Sequence, residues 1–171
     1  STGTTTFSAA VSAASLIQNA STGTTAINGG AITTSGVQTF GNNVTLGANT
    51  TLDATNGGTT NNAITITGTL NSVSSTPYNL TTSSGSAGTT FTGAVGATNK
   101  LAALTVNSTG ATIFSSTVAA NSVTTDTGGT LSLGGNVTTS GNQSYGEAAT
   151  LAAAITLNTT ASSGNGTVSF A

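Results

Sequence analysis

The sequence predicts an all-β fold, a parallel β-helix (β-solenoid) of about eight rungs, where a rung is one full turn of the coiled chain. Only four of the 171 residues carry charge: Asp53, Lys100, Asp126 and Glu147. Short segments that alternate apolar and small polar residues recur at a spacing of roughly 21 residues. A longer self-similarity, with an offset of 105 residues, relates the first part of the chain to the last.

The long repeat is carried by the segments 37–52 and 142–157. The pairs that match are Gln38 with Gln143, Phe40 with Tyr145, Leu46 with Leu151, and Leu52 with Leu157. Upstream, 29–36 matches 134–141 at the same offset, and Phe7, Val11 and Leu16 match Phe114, Val118 and Val123 at an offset of 107. We interpret residues 1–171 as a single repeat region holding about 1.6 copies of a repeat of about 105 residues.

The shorter units read as half-buried strands. Segments such as 63–67, 130–133 and 155–157 alternate apolar and hydroxyl residues, which is the period-two pattern of a strand. The motif that begins at Phe91 returns 23 residues later at Phe114. Pairs that contain glycine punctuate these segments and indicate turns. Five such units of about 21 residues would make up one long repeat.

Stacked rungs account for the scarcity of charge. Rungs of a solenoid lie about 4.8 Å apart, so equivalent side chains form ladders along the axis. Two like charges at that distance repel by about 0.9 kcal/mol even in water. Threonine, serine and asparagine can donate to one neighbour and accept from the other. The seven aromatic residues fall near strand positions and are expected in the core: Phe7, Phe40, Tyr78, Phe91, Phe114, Tyr145 and Phe170.

Tandem Ig-like β-sandwiches are the alternative architecture, because about 105 residues is also the size of one such domain. The chain has no tryptophan, no tyrosine-corner spacing and no proline-rich linker. An inner period near 21 residues has no explanation in a sandwich, so the solenoid is favoured.

The composition excludes several function classes. Histidine and cysteine are absent, so Ser-His-Asp or Cys-His triads and thiolate metal sites cannot form. With one lysine and no arginine, the chain is not expected to bind nucleic acid. Its apolar runs are only a few residues long, so no membrane insertion is expected. We assign no cofactor and no metal ligands.

One pair of acids could support catalysis. Asp126 and Glu147 are 21 residues apart, which would place them on neighbouring rungs, as acids are placed in β-helical polysaccharide-cleaving enzymes. Groups that would position a substrate are missing around them, so we interpret them as isolated surface acids and assign no catalytic residue. A polysaccharide-cleaving enzyme therefore ranks third among the functions.

The strings over 31–52 and 89–97 resemble the β-strand repeats of giant bacterial surface adhesins of the filamentous-haemagglutinin-like and autotransporter-like kinds. The resemblance implies an extracellular, cell-surface stalk or fibre built as a parallel β-helix, without catalytic residues. We therefore expect a structural or adhesive segment of a secreted bacterial protein. Its expected partners are copies of itself end to end or neighbouring repeats of the same chain, with host or surface carbohydrate as a further partner.

A binding solenoid is the second hypothesis. A flat ladder of threonines could recognise ice or an insoluble carbohydrate, provided that Thr-x-Thr recurs on one face of successive rungs. The candidate segments are Thr65-Ile66-Thr67 and Thr4-Thr5-Thr6.

Overall fold

The chain is a parallel β-solenoid with three faces. A computed structural model describes residues 2–74, 76–161 and 165–171. Within these ranges the 21 strands run in parallel, each paired with its counterpart one rung away. This confirms the all-β solenoid prediction and excludes tandem sandwiches, whose sheets are antiparallel.

Each rung places one strand segment on each face in turn, and we call these faces A, B and C. Face A holds β1 (Thr4–Phe7), β4 (Thr24–Ile27), β7 (Asn43–Leu46), β10 (Leu70–Ser72), the start of β15 (Val118–Thr125), β17 (Val137–Thr139) and β20 (Leu157–Asn158). Face B holds β2 (Val11–Ala13), β5 (Ala31–Thr34), β8 (Thr50–Asp53), β11 (Leu80–Gly85), β13 (Leu101–Ser108), the end of β15, β18 (Gln143–Tyr145) and β21 (Val168–Phe170). Face C holds β3 (Leu16–Gln18), β6 (Gln38–Phe40), β9 (Ile64–Ile66), β12 (Thr89–Phe91), β14 (Ala111–Phe114), β16 (Thr130–Leu133) and β19 (Ala148–Leu151). In the fifth rung, face A is reduced to Val95, which bridges Leu70 and Val118.

The solenoid has about eight rungs, as predicted, and they differ in length. Registered residues on consecutive rungs are 19 apart for Thr24 and Asn43 but 26 apart for Val44 and Leu70. The extra residues of the longer rung lie at a corner, in the segment 54–63 between β8 and β9. Insertions of this kind leave the strand register intact, because only the corners must absorb them.

Inward side chains form apolar ladders along the axis. On face A, Val44, Leu70, Val95, Val118 and Val137 are in register and almost fully buried. Burying one such side chain contributes roughly 1.5–3 kcal/mol. Four of the predicted core aromatics are fully buried, namely Phe40, Phe91, Phe114 and Tyr145. Phe91 and Phe114 stack with ring centroids 5.0 Å apart, which explains their 23-residue spacing.

Matching positions of the long repeat lie on different faces. Phe40 is on face C of the second rung, whereas its match, Tyr145, is on face B of the seventh. Leu46 and Leu151 show the same rotation, from face A to face C. Moving 105 residues along the chain therefore stops one face short of five complete rungs. The repeated pattern specifies a strand and a corner without specifying which face they form.

Glycine and asparagine shape the corners. Gly129 has a φ of +77°, and a Cβ atom there would lie 1.9 Å from the carbonyl oxygen of Gly110. Asn79 uses its Oδ1 atom to accept the backbone N–H of Ala103 one rung away, at 3.1 Å. At this corner the asparagine side chain therefore bonds to the main chain of the next rung. The sequence predicted instead that asparagine side chains on successive rungs would bond to one another. Among the threonines, Thr4 and Thr24 do bond through their hydroxyls, at 3.0 Å.

Candidate functional sites

The structure places Asp126 and Glu147 on neighbouring rungs but in different environments. Thr125 is in register with Tyr145, so Asp126 lies beside Gly146. The Oδ1 atom of Asp126 accepts the backbone N–H of Ser108 at 2.9 Å. Glu147 is only 2% exposed, so the expectation of a surface acid is wrong for this residue. The two carboxylates therefore do not face a common open cleft.

Glu147 is held inside the coil by hydroxyl groups. The Thr112 hydroxyl donates to its Oε1 atom at 3.0 Å. Burial raises the pKa of Glu147, and the charge of Asp126 adds to this rise, while the hydroxyl of Thr112 opposes it. Its Oε2 atom and the Thr125 hydroxyl oxygen are both buried without a hydrogen-bond partner among the described groups.

Asp53 occupies a contrasting, more open site at the same corner, between faces B and C. Its Oδ1 atom accepts both the backbone N–H of Thr55, at 2.7 Å, and the Thr55 hydroxyl, at 2.6 Å. Its Oδ2 atom accepts the N–H of Gly57 at 3.0 Å. Burial alone would raise the pKa of Asp53, but these hydrogen bonds outweigh it and the pKa is lowered.

All three acids lie at the corner between faces B and C, while the single lysine lies elsewhere. Lys100 directly precedes β13, at the corner between faces A and B. The described residues contain no group of three or more Asp, Glu, His or Cys side chains that could hold a metal ion. The charged groups are thus one buried acid, Glu147, two partly exposed acids, Asp53 and Asp126, and one cation at another corner.

A row of outward hydroxyls runs along face B over six rungs, and we call it the hydroxyl row. Consecutive members are in register, and they are Thr51, Thr81, Thr105, Thr124, Ser144 and Ser169. The sequence candidates Thr65 and Thr4 lie instead on faces C and A, so they do not share a face. The sequence did not predict this row because its members are unevenly spaced. Thr51 and Thr81 are 30 residues apart, whereas Thr81 and Thr105 are 24 apart.

The last rungs expose side chains that belong to the inward ladders. Leu151 continues the ladder above Leu133 yet is 56% exposed, and Phe170 stacks on Tyr145 yet is 51% exposed. Leu46, which matches Leu151 in the long repeat, is fully buried within the solenoid. The exposure of Leu151 follows from its position, because β19 pairs with a strand on one side only among the described residues.

No family model, no curated protein and no solved structure matches this chain. In the parts of the chain that the structure covers, there is no helix with the length and apolar character needed to span a bilayer. The fold and its local chemistry are therefore the basis for a functional proposal.

Proposed function

We propose that this chain is a structural and adhesive repeat segment of a secreted bacterial cell-surface protein, in which solenoid rungs stack into a stalk or fibre. The observation that carries the proposal is that both terminal rungs have the sequence of interior rungs. Further rungs, from neighbouring repeats of the same chain or from another copy, would pair with both ends.

The first rung supports this proposal. Phe7, Val11 and Leu16 match Phe114, Val118 and Val123, which lie on strands paired on both sides. In the first rung the same pattern has a neighbour on one side only. An interior sequence at an unpaired edge favours addition of another parallel strand.

The last rungs repeat the argument at the other end. The segment 148–158 matches 43–53, whose strands β7 and β8 pair on both sides. Leu151 and Phe170 present apolar surface along the axis, where a following rung would bury it. Contact of one end with the opposite end of another unit is heterologous and generates open filaments.

The secreted and surface location rests on the adhesin-like repeat resemblance together with the uncharged, hydroxyl-rich surface. A stalk of stacked rungs has to avoid like-charge ladders along its whole length. Only one pair of like charges, Asp126 and Glu147, lies on neighbouring rungs at one corner, and Glu147 is buried there.

Electron microscopy of the purified protein and of a head-to-tail tandem of two copies tests the stacking. Rungs spaced about 4.8 Å apart predict a rod of about 38 Å for one copy and a continuous rod about twice as long for the tandem. Two separate beads in the tandem would contradict the proposal. Leu151→Lys should abolish end-to-end association of single copies. Ile17→Lys is the matched control, because Ile17 is 63% exposed but points sideways from face C.

The hydroxyl row favours one second candidate, a solenoid that binds ice or an insoluble carbohydrate. Its six registered hydroxyls repeat at the rung spacing, which suits a ligand with a regular surface lattice. Thermal hysteresis and pull-down on cellulose or chitin measure this activity. Thr81→Val with Thr105→Val should abolish it, whereas Thr138→Val on face A should leave it intact. Absence of both activities in the unmodified protein would dismiss this candidate.

A further inference from the structure

A groove of about 470 Å³ lies on face A, across the third and fourth rungs. Its floor consists of outward side chains of β7, β10 and the residue before β10, namely Asn43, Thr45, Thr69 and Asn71. Val73 and Ser74, which follow β10, form one wall, and the other comes from the next rung through Thr98 and Asn99. Small-molecule sites in proteins typically measure about 300–1,000 Å³, so the groove is large enough for a ligand.

The walls exist because two rungs are longer than the others at one corner. Seven residues, 73–79, separate β10 from β11, and five, 96–100, separate Val95 from β13. The same corner takes only three residues, 47–49, in the third rung. In solenoids, insertions carried by particular repeats cluster on one side, and that side is often the binding face.

Hydrogen bonds hold the groove in its shape. The Oδ1 atom of Asn71 accepts the backbone N–H groups of Thr98, at 3.0 Å, and Asn99, at 3.2 Å. The buried Ser72 donates its N–H to the Asn99 carbonyl and accepts the N–H of Tyr78 at its hydroxyl. Both walls are therefore tied to β10, and a ligand would find the site largely formed.

The lining combines neutral donors with the single cation of the chain. The Oδ1 atom of Asn43 accepts the N–H of Thr69 at 2.9 Å, and that of Asn71 is likewise occupied, so their NH2 groups are the donors that remain. Lys100 lines the adjoining hollow with Pro77, and Asn99 lines both hollows. The three acids lie at another corner.

We propose that this groove, together with the adjoining hollow that Lys100 lines, binds a carboxylate-bearing saccharide. The sugar hydroxyls accept from the amide groups of Asn43 and Asn71 and bond to the hydroxyl of Thr45, while the carboxylate pairs with Lys100. A neutral, amide-lined surface suits many hydroxyls, and one ammonium suits one carboxylate per bound unit. The inference rests on the adhesive part of the proposed function and names the class of ligand that it would take.

Calorimetric titration with tetragalacturonate and with its fully methyl-esterified, neutral form tests the inference. We expect the acidic oligomer to bind at least about tenfold more tightly than the ester, and added salt to narrow the difference. Lys100→Gln should weaken binding of the acidic oligomer to the level of the ester. Lys100→Arg should retain it, and Thr138→Ala, on face A outside the groove, should leave it unchanged.

Equal binding by Lys100→Gln and the unmodified protein, or no binding of the acidic oligomer, would overturn the inference. Lys100 lies away from the axial ends, so Lys100→Gln should still form rods of unchanged length in micrographs. Loss of saccharide binding with intact rods thus supports the groove. Intact rods without any saccharide binding reject the groove alone, while absent rods reject the stalk.

Discussion

Gln38 and Gln143 occupy matching positions of the long repeat and make the same buried contacts on different faces. The Nε2 atom of Gln38 donates to the Ile32 carbonyl, the Thr34 hydroxyl and the Asp53 carbonyl, at 2.9–3.2 Å. Gln143 donates to the equivalent oxygens of Val137, Thr139 and Asn158, at 3.0–3.2 Å. Each glutamine ties one corner together and also reaches the next rung.

The two sites differ at the other amide atom. Tyr145 donates its hydroxyl to the Oε1 atom of Gln143 at 3.0 Å, and burial raises the pKa of Tyr145, so the proton stays on the donor. Phe40 stands at the matching position, and the Oε1 atom of Gln38 is buried without a hydrogen-bond partner among the described groups. The repeat therefore retains the corner glutamine while the residue two places later decides whether its hydrogen bonding is complete.

The next inward position differs as well. Asn42, which is 3% exposed, accepts the backbone N–H of Ser21 with its Oδ1 atom at 2.6 Å. Its match is Glu147, whose second carboxylate oxygen is unpartnered. One copy thus places an amide at the corner where the other places an acid. Substitutions that introduce the residue of one copy into the other can show which of these side chains stabilise the corner.

Replacing the glutamines should have the largest effect. Gln143→Ala and Gln38→Ala each leave two backbone carbonyls and a threonine hydroxyl without their donor and open a cavity, so we expect a loss of about 2–4 kcal/mol of unfolding free energy. Gln143→Ala should cost more, because the Tyr145 hydroxyl also loses its acceptor. Urea denaturation followed by circular dichroism measures both. The control is Thr138→Ala, an outward side chain of face A, for which a cost below about 1 kcal/mol is expected.

Glu147→Gln should stabilise the protein at neutral pH. The ordinary pKa of this carboxyl is about 4.5 and the folded value is higher. Stability is therefore complete below the ordinary pKa and falls as pH rises through the folded pKa, because folding then opposes ionisation. At pH 8 the variant should gain about 1–3 kcal/mol in urea denaturation. In the Glu147→Gln variant, the unfolding free energy should no longer fall between pH 4 and pH 8. If it falls as steeply as in the unmodified protein, Glu147 is charged in the folded state.

Exchanging Phe40 and Tyr145 should determine which glutamine Oε1 atom has a hydrogen-bond donor. Tyr145→Phe leaves the Oε1 atom of Gln143 unpartnered and should cost about 1–2 kcal/mol. Phe40→Tyr supplies the missing donor to Gln38 and should raise the unfolding free energy by about 0.5–1 kcal/mol. This gain is smaller than the loss in Tyr145→Phe because the new hydroxyl must also be desolvated. Thermal denaturation of both variants gives the signs. Destabilisation by Phe40→Tyr would show that the hydroxyl does not reach Gln38.

The sequence was sufficient for the fold because stacking acts on every rung. Alternation in segments such as 130–133, scarce charge and the 23-residue spacing of Phe91 and Phe114 all follow from parallel rungs. The rotation of the long repeat by one face was not predictable, because it depends on corner lengths such as 54–63 and 73–79. Corner lengths are not constrained by the core, so they leave no period in the sequence.

The candidate sites were less accessible to sequence reasoning. The 21-residue spacing of Asp126 and Glu147 correctly indicated neighbouring rungs, but not that Glu147 points inward, since a shift of one residue reverses the side of a strand. The hydroxyl row and the face A groove both depend on registers between rungs of unequal length. Neither has a local motif that could have indicated it.

The smallest expected effect concerns Asp53, whose match in the long repeat is Asn158. The Oδ1 atom of Asn158 accepts the backbone N–H and the hydroxyl of Thr160, at 2.8 and 2.9 Å, just as Asp53 does with Thr55. Asp53→Asn should therefore keep this turn and lose only the bond to Gly57, a cost of about 0.5 kcal/mol at pH 7.

The dependence of stability on pH below pH 5 distinguishes aspartate from asparagine at position 53. Because the folded pKa of Asp53 lies below its ordinary value of about 3.8, its contribution is present above that value and is lost as pH falls through the folded pKa. Asp53→Asn should flatten this part of the stability profile in urea titrations from pH 5 to pH 2. Asp53→Ala serves as the control, since it removes the turn itself and should cost more at every pH. If Asp53→Asn is as costly as Asp53→Ala at pH 7, the charge and not the turn geometry stabilises this corner, and the two copies are less alike than their hydrogen bonds indicate.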